Sequence, residues 1–378
     1  MKFLDYIQVN PTIKLEKDKQ YPFVEMANAD VFAREPKQID IKKYSSGVKF
    51  QRGDTVIARI EPCLQNGKGF FVKNISEGFG STEFLVFRPK DDKVTNEFLY
   101  YFMLTDYIRK SMINSMTGAT GRQRVNKDIF KSLELSLPSI EKQKRIADIL
   151  SAYDDLIENN QKQIKLLEEA AMRLYKEWFV KLRFPGHENT KIVDGVPEGW
   201  ERNKLIEIAD IQYGFAFDSS KFNILKKGTP IIRIRNIPSG NTSDYTTEHA
   251  DEQYLAYNGD IIVGMDGEFH INTWAGDTAY LVQRTCRIKP KNTIMKGYLL
   301  QAIYEPIKYF EKTITGATVA HLGKKHIDTI TLLTAPEKYY LPFQYLFDKR
   351  QILLKQNVLL QEARDKLLPK LMSGEIEV

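Results

Sequence analysis

The tetrapeptide Thr-Gly-Ala-Thr occurs twice in this chain and constrains the fold more than any other feature. It begins at Thr117 and again at Thr315, and each copy is followed by a proline after the same number of residues. A long repeat of this kind indicates that one structural unit is present twice. The two halves of the chain are therefore expected to share one scaffold.

Other features recur around the tetrapeptide in the same order. Each copy has a Gly-Asp turn before an apolar run, then an alternating strand that ends at proline, then a helical pattern. In the first copy these segments read RGDTVIARI, EFLVFRPK and NEFLYYFMLTDYIRKSM. In the second they read NGDIIVGMD, TCRIKPK and KGYLLQAIYEPIKYF. The shared order predicts a duplication, and the low identity predicts copies that differ at the surface.

A long helical pattern follows each copy. From Ile146 to Trp178, apolar positions recur alternately every four and three residues, which is the heptad seam of a coiled coil. At about 1.5 Å per residue, a helix from Pro138 to Val180 would span roughly 60 Å. The pattern after the second copy keeps the same register but is interrupted by polar residues: Arg350, Asn357, Gln361 and Arg364. By itself it would make a poor coiled-coil strand.

Asn160 and Asn357 lie near the middle of the two seams. If the helices pair antiparallel within the chain, the two amides meet, and a buried Asn pair fixes the register at some cost in stability. The alternative is that each Asn is solvated at the edge of its seam. A duplicated unit that closes on itself requires the antiparallel direction.

The patterns predict an α+β protein with two sheet-rich domains and two long helices that form an antiparallel intramolecular coiled coil with pseudo-two-fold symmetry. The predicted segments are a first sheet-rich domain, a first coiled-coil helix, a linker, a second sheet-rich domain, and a second helix with a tail: 1–137, 138–180, 181–196, 197–335 and 336–378.

Composition narrows the class of protein. With 42% hydrophobic and 28% charged residues, the chain is typical of globular proteins. It contains no uncharged apolar run of the length of a membrane helix, and Cys63 and Cys286 provide neither a disulfide framework nor a paired metal motif. We expect a cytoplasmic protein.

Charge is unevenly distributed in the second half of the chain. Residues 221–243 contain five basic residues and no acid, residues 244–280 contain eight acids and no Lys or Arg, and residues 281–304 contain five basic residues and no acid. Separated signs can present a basic face to a polyanion although the net charge is only +6. Solvated strands and turns without a binding role are the alternative.

Motifs of catalysis are missing from the sequence. It has no GxxxxGK[ST] phosphate loop, no GxGxxG after a strand, no HExxH and no paired CxxC, and no GxSxG nucleophile elbow. Asp266 and Glu268 could form a carboxylate pair, but no base accompanies them, and His321 and His326 do not have a metal-ligand spacing. We predict that this chain is not an enzyme and holds no metal.

The loops carry side chains that contact phosphates or read base edges. The predicted DNA-binding residues of the first copy are Arg59, Lys68, Thr117, Gly118, Thr120, Arg122, Gln123, Arg124 and Lys127. Those of the second copy are Arg233, Arg235, Asn236, Asp266, Arg284, Thr315, Gly316, Thr318, His321 and Lys324. Each residue alone is common on ordinary surfaces, so the prediction depends on the set.

The run LPSIEKQKRIADILSAYDDLIENNQKQIKLLEEAAMRLYKEWF resembles the central conserved region of specificity subunits of type I restriction-modification systems. VPEGWERNKLIEIADIQYGFAF followed by GTPIIRIRNI is similar to the opening of that family's second target-recognition domain. The TGAT loops and Gly-Asp strands also match the family's pattern. The resemblance covers the whole chain in the family's order.

This resemblance implies a DNA-reading adaptor without catalytic activity. Each target-recognition domain would read one half of a bipartite, asymmetric DNA site, and the helices would set the spacer and dock two methylation subunits. Those subunits would carry S-adenosylmethionine and methylate adenine N6, while restriction subunits would use ATP and Mg. No cofactor is expected in this chain.

Two other classes of protein are weighed against this reading. A coiled-coil interaction adaptor without sequence-specific DNA reading accounts for the helices but not for the duplicated sheet domains. An autonomous adenine methyltransferase requires an Asn/Asp-Pro-Pro-aromatic motif, which the sequence lacks.

Overall fold

The computed structural model describes residues 2–314 and 320–378. Thr315, Gly316 and Thr318 of the second tetrapeptide lie outside the described residues. The chain divides into a first unit, Met1–Leu156 with Leu360–Val378, and a second unit, Ile157–Leu359. These boundaries fall inside both long helices, because in each unit a portion of both helices packs on the adjoining sheets. The predicted segments differ in that each long helix forms a segment of its own.

The first unit is built from short strands and helices that precede the first long helix. In chain order they are α1 (Phe3–Tyr6), β1 (Ile7–Val9), β2 (Gln20–Val24), β3 (Asp40–Lys43), β4 (Val48–Gln51), β5 (Thr55–Ala58), β6 (Gly69–Phe71), β7 (Glu77–Gly80), β8 (Phe84–Pro89), α2 (Asn96–Met103), α3 (Asp106–Asn114), β9 (Met116–Thr117), β10 (Arg124–Val125) and α4 (Ile129–Ser132). The first long helix, α5, spans Ile140–Tyr175 and continues as a π-helical turn, Lys176–Val180.

The strands of the first unit form two main sheets. One has the antiparallel order β1-β8-β5-β6, and the other has the order β3-β2-β7-β4 with a parallel pair, β2 and β7. All four residues of β5 are buried, as its apolar sequence requires. The preceding turn needs Gly53, whose φ is +88°, and the Asp54 carboxylate accepts from the Gln51 amide at 2.8 Å.

The second unit contains the remaining elements. They are β11 (Ile192–Val193), β12 (Val196–Pro197), β13 (Glu201–Lys204), α6 (Leu205–Ile208), β14 (Ala209–Tyr213), β15 (Phe222–Asn223), β16 (Thr229–Ile232), β17 (Tyr245–Thr246), β18 (Leu255–Ala256), β19 (Ile261–Gly264), β20 (Ile271–Thr273), β21 (Ala279–Leu281), β22 (Thr285–Pro290), α7 (Lys296–Ala302), α8 (Tyr304–Thr313), α9 (Lys324–Ile327) and β23 (Thr331–Thr334). The second long helix, α10, spans Leu341–Ser373.

The sheets of the second unit repeat those of the first. Order β14-β22-β19-β20 corresponds to β1-β8-β5-β6, and in the other sheet β16 is parallel to β21 as β2 is to β7. Even the register is the same: Thr55 lies opposite Phe87, and the equivalent Ile261 lies opposite Ile288. The structure therefore confirms the two sheet-rich copies of the predicted α+β fold.

Helix α5 buries the predicted seam. Every predicted seam position is buried or partly buried: Ile146, Leu150, Tyr153, Ile157, Asn160, Ile164, Leu167, Ala171, Leu174 and Trp178. In the first unit, Ile146 and Leu150 share the hydrophobic core with Leu371 of α10. In the second, the core takes in Phe179 and Phe343. The heptad pattern thus identified the face of the helix that packs.

Polar residues that interrupt the seam of α10 meet polar residues of α5. In the second unit, Arg350 Nε lies 2.7 Å from Glu168 Oε1. Asn160 Nδ2 donates to Asn357 Oδ1 at 2.9 Å. Later positions of α5 thus pair with earlier positions of α10, so the helices are antiparallel. Arg350 and Asn357 therefore each have a polar partner on α5. That α10 by itself would make a poor coiled-coil strand stays a prediction.

The first unit contains a buried ion pair of the same kind. Arg364 Nη1 lies 2.5 Å from Asp154 Oδ1, and both side chains are almost fully buried. Tyr101 on α2 donates its hydroxyl to Asp154 Oδ2 at 2.6 Å. Burial and the negative charge of Asp154 raise the pKa of Tyr101, which keeps this hydroxyl protonated as a donor. Asp154 therefore joins both long helices to the sheet-rich part of the unit.

In the second unit, Arg350 has the role that Asp154 has in the first. Its Nη1 donates to Thr273 Oγ1 at 2.6 Å and its Nη2 donates to Asn272 Oδ1 at 2.7 Å. Both acceptors lie on β20, while its Nε contacts Glu168 on α5. One guanidinium thus connects both helices to the edge of the sheet.

Replacing Arg364 by Met should lower the thermal unfolding midpoint by about 6–20 °C, because the buried Asp154 carboxylate loses its counter-charge at a cost of about 3–5 kcal/mol. Scanning calorimetry measures the shift. Asp154→Asn combined with Arg364→Met should recover much of it, since Asn still accepts from Tyr101. Lys366→Met, at an exposed position of α10, is the matched control, and an equal shift in it would contradict this account.

Candidate nucleic-acid interface

The first set of predicted residues lies largely on a hairpin. Strands β9 and β10 pair with Thr117 opposite Arg124, and the tip between them exposes Thr120 and Arg122. Gly118 has φ +120°, a conformation that favours glycine. Backbone and side-chain groups of Glu61 hold the hairpin: its amide donates to the Gln123 carbonyl at 2.9 Å. The sequence thus presents a short polar loop on a fixed base.

Arg124 is bound by a carboxylate that the sequence prediction did not include. Its Nε lies 3.0 Å from both oxygens of Glu83, and its Nη2 lies 2.7 Å from Glu83 Oε1. The hydrogen bonds from Arg124, with the positive charge of this residue and of Arg59, hold the pKa of Glu83 below its ordinary value. Glu83 opens the EFLVFRPK strand, and an acid directly before a strand was the signal that could have identified it.

The remaining predicted residues of the first unit are placed differently. Arg59 Nε lies 3.8 Å from Glu83 Oε2, so Arg59 belongs to the same charged cluster. Lys68 Nζ donates to the Met26 carbonyl at 3.2 Å and contributes to loop structure. Lys127 is exposed before α4. The structure brings Arg59 and Arg124 together, while Lys68 makes a separate contact.

In the second unit, a turn after β16 carries three of the predicted residues. Arg235 donates to Asp244 through Nε at 3.1 Å and Nη2 at 2.5 Å, and its side chain is 61% exposed. Asn236 Nδ2 lies 3.3 Å from the same carboxylate. Arg233 stacks its guanidinium over the Phe222 ring at 5.6 Å. Asp244, which organises this turn, was not among the predicted site residues.

Asp266, Arg284 and His321 form a second cluster. His321 Nδ1 lies 2.6 Å from Asp266 Oδ1, and Arg284 Nε lies 3.4 Å from Asp266 Oδ2. Arg284 Nη1 lies 3.1 Å from His321 Nδ1 and 3.4 Å from its Nε2. Lys324 is exposed at the start of α9. Three residues that are distant in sequence therefore share one surface site.

The separated charge blocks of the second half pair with each other. Arg235 of the first basic block binds Asp244 of the acidic block, and Arg284 of the second basic block binds Asp266. The fold thus brings members of oppositely charged blocks together in these two pairs. That the separated signs present a basic face to a polyanion stays a prediction.

Among the described residues, no helix combines the length and the apolar composition needed to cross a bilayer. Residues 2–314 and 320–378 also contain no group of three or more His, Cys, Asp or Glu side chains that could hold a metal ion. The candidate functional groups of these described residues are therefore the polar side chains of the loops.

Comparison with known sequences decides the family. The sequence pattern described as type I restriction modification DNA specificity domain matches residues 5–169 and 197–336, which together make up most of the chain. The chain belongs to this family. It is a specificity subunit of a type I restriction-modification system, with a role in DNA sequence recognition, and catalysis belongs to the other subunits of such systems.

Relatives of the specificity family support the assignment. The chain is 28% identical over 308 residues to the type I restriction enzyme MjaIX specificity subunit of Methanocaldococcus jannaschii, covering 77% of this chain and 71% of the relative. It is 37% identical over 142 residues to the EcoBI specificity subunit of Escherichia coli, covering 37% of this chain and 30% of that protein.

A solved structure of a type I restriction-modification system S subunit from M. genitalium shares the fold. It matches with a TM-score of 0.53 at 16% identity, covering 98% of this specificity subunit and 95% of that chain. At this identity the likeness concerns the fold alone. It extends over both sheet-rich copies and both long helices.

The pKa of Glu83 should lie below its ordinary value of 4.5, and Arg124→Met should raise it. A depressed pKa means that the Glu83–Arg124 pair is fully formed above pH 4.5 and is lost as the pH falls through the lower, folded-state pKa. Titration of a ¹³C-labelled Glu side chain by NMR measures this. Arg122→Met is the control, because Arg122 contributes its carbonyl rather than its guanidinium to the cluster. An unchanged pKa in Arg124→Met would contradict this account.

Proposed function

We propose that each sheet-rich domain reads one half of a bipartite, asymmetric DNA site. The first recognition domain is residues 1–137 and the second is residues 197–335. One observation carries the proposal: two domains with the same strand order and register present different polar side chains at their loops. A repeated scaffold with different surfaces suits the reading of two different sequences.

The residues proposed to contact DNA follow from this division. In the first recognition domain they are the hairpin residues with Arg59 and Lys127, and Lys68 nearby. In the second they are the turn after β16, the Asp266, Arg284 and His321 cluster, Lys324, and the TGAT residues Thr315, Gly316 and Thr318. Exposed Arg and Lys side chains among them supply phosphate contacts, and the residues held by carboxylates are oriented for contacts with bases.

The long helices are proposed to set the spacer between half-sites and to dock two methylation subunits. Asn160 and Asn357, buried against each other at 2.9 Å, are proposed to fix the register of the pair. Both helices also expose large apolar side chains away from the seam, as a docking face would: Leu156, Leu166, Met172, Tyr345, Ile352 and Leu359.

The partners complete the proposed system in the cytoplasm. Methylation subunits would supply S-adenosylmethionine and transfer its methyl group to adenine N6, and restriction subunits would supply ATP- and Mg-dependent cleavage. This chain would hold neither cofactor. Its contribution is to place the catalytic subunits on DNA that its two recognition domains have selected.

Co-expression of this chain with its methylation subunit should create a bipartite N6-methyladenine motif that the subunit alone does not produce. Genome-wide methylation sequencing measures the motif and identifies both half-sites. Methylation that does not change, with both proteins present and folded, would contradict the proposal. That result would favour a coiled-coil interaction adaptor without sequence-specific reading.

Inserting one heptad into each long helix should lengthen the spacer and leave both half-sites unchanged. The insertions belong between Asp154 and Asn160 in α5 and between Asn357 and Arg364 in α10, so that the polar pairs on either side are retained. Seven residues add about 10 Å of helix, or about 3 base pairs.

The methylation motif of the lengthened chain reports the spacer directly. A heptad inserted in α5 alone is the control, because it displaces one helix relative to the other and should abolish methylation. An unchanged spacer in the doubly lengthened chain would show that the helices do not set it.

A further inference from the structure

The repeated scaffold makes it possible to match single positions of the two recognition domains. After β5, the Arg59 amide donates to the Glu83 carbonyl at 2.8 Å, and after β19, the Met265 amide donates to the Arg284 carbonyl at 2.9 Å. These hydrogen bonds occupy the same place in the two sheets. Glu83 of the first domain is therefore structurally equivalent to Arg284 of the second.

The TGAT loops return to the sheets in the same way. Val125 donates to the Arg59 carbonyl at 2.9 Å, and Leu322 donates to the Met265 carbonyl at 2.8 Å. The adjoining antiparallel bridges join Ile60 to Arg124 in one domain and Asp266 to His321 in the other. Arg124 is thus equivalent to His321. The segment from the first Thr of TGAT to this position is one residue longer in the first copy.

Each domain has an arginine bound to a carboxylate at this matched place, but the two arginines do not occupy equivalent positions of the repeat. In the first domain the arginine is on the loop and Glu83 is at the strand. In the second the arginine is at the strand, and Asp266 and His321 hold it. Arg124 is 43% exposed and Arg284 is 47% exposed. The fold does not dictate this arrangement, because the same scaffold carries opposite charges at equivalent positions.

The hydrogen bonds of Arg124 leave part of its guanidinium available. Glu83 takes the Nε–H and one N–H of Nη2, and the Arg122 carbonyl takes one N–H of Nη1 at 3.3 Å. Of the hydrogen bonds made within residues 2–314 and 320–378, these leave one N–H on each terminal nitrogen. Each terminal nitrogen thus keeps one donor on a side chain that Glu83 holds in place.

Arg284 is fixed by its backbone as well as by its neighbours. Its φ is +72°, in the left-handed region that a non-glycine residue adopts at a cost. His321 Nδ1 lies 2.6 Å from Asp266, and Arg284 Nη1 lies 3.1 Å from Nδ1 and 3.4 Å from Nε2 of the same ring. Asp266 lies beside Nε and His321 beside Nη1, while no hydrogen bond within the described residues engages Nη2.

Two parallel N–H donors match one base edge best. In the major groove, guanine presents the N7 and O6 acceptors side by side, whereas adenine presents an acceptor beside a donor and the pyrimidines present no acceptor pair. A carboxylate that fixes the arginine beforehand also reduces the conformational entropy lost on binding. An exposed Arg–carboxylate pair contributes little to folding, so stability does not explain why both domains contain one.

We propose that Arg124 reads a guanine in the first half-site and that Arg284 reads a guanine in the second. Glu83 and Asp266 are positioning residues that aim these arginines. The inference rests on the proposed function, because it names the base that each recognition domain would read at this matched place.

The test uses the complex of the full chain with its methylation subunits. Competition binding is measured against the cognate duplex and against duplexes in which one base pair at a time is replaced. The wild-type complex should discriminate against replacement of at least one G·C pair in each half-site. Arg124→Lys should remove discrimination of about 5- to 150-fold at one G·C pair of the first half-site, and Arg284→Lys should do so in the second.

Controls distinguish base reading from charge. Arg122→Gln and Lys324→Gln should weaken binding to all duplexes about equally, as loss of a phosphate contact does. Glu83→Gln and Asp266→Asn should reduce discrimination at the same G·C pairs while raising affinity for non-cognate DNA, because a repelling carboxylate is removed. A residue with a purely structural role would not move these two quantities in opposite directions.

Discrimination at the half-site that a variant does not contact shows whether that variant is folded. Full discrimination at every G·C pair in both Lys variants would overturn the proposal, and so would equal loss in both half-sites from a single variant. A cognate site without a G·C pair in one half would overturn it for that domain. A wild-type complex that recognises no bipartite sequence would instead refute the proposed function, which keeps the two failures distinct.

Discussion

The antiparallel pairing of α5 with α10 through buried polar residues is the interaction on which the rest of the structure depends. A buried arginine or aspartate is stable only when its charge and hydrogen-bonding groups are matched. Arg364 meets Asp154 in the first unit, and Arg350 meets Glu168 in the second. A shift of one helix by a heptad would leave these charges buried and unpaired. We infer that the polar residues select this register more strongly than leucines would, because apolar seams tolerate slippage.

The same polar residues also anchor the sheets. Asp154 accepts from Tyr101 of the first unit, and Arg350 donates to Thr273 of the second. In each unit one buried charge thus serves both the helix pair and the domain that lies on it. For a specificity subunit this matters, because base reading requires loops that are held on a rigid support. In each unit the long helices and the sheet-rich part are linked by hydrogen bonds as well as by apolar packing.

Periodicity and repetition allowed much of the fold to be predicted. The heptads of α5 identified its buried face from Ile146 to Trp178, and the Gly-Asp and proline signals located the paired strands of both copies. The supports of the site were harder to predict. Glu83 lies 41 residues from Arg124, which it binds, and its position directly before a strand is a weak signal. Asp244 lies nine residues from Arg235 and has no motif of its own. The pairing of Arg235 with Asp244 and of Arg284 with Asp266 could not be predicted from the charge blocks, since the tertiary structure decides which charges become neighbours.

The sequence by itself determined the repeated scaffold, the two long helices and the family, because each of these is encoded in local periodicity or in a long, continuous run of residues. Only the tertiary structure decided which polar residues meet. It showed that the interruptions of α10 complement α5, and that Arg124 and Arg284 occupy one matched place although they come from different positions of their repeats. Hydrogen bonds and ion pairs act over a few ångströms in space, and their partners are set by strand register and helix direction rather than by separation along the chain.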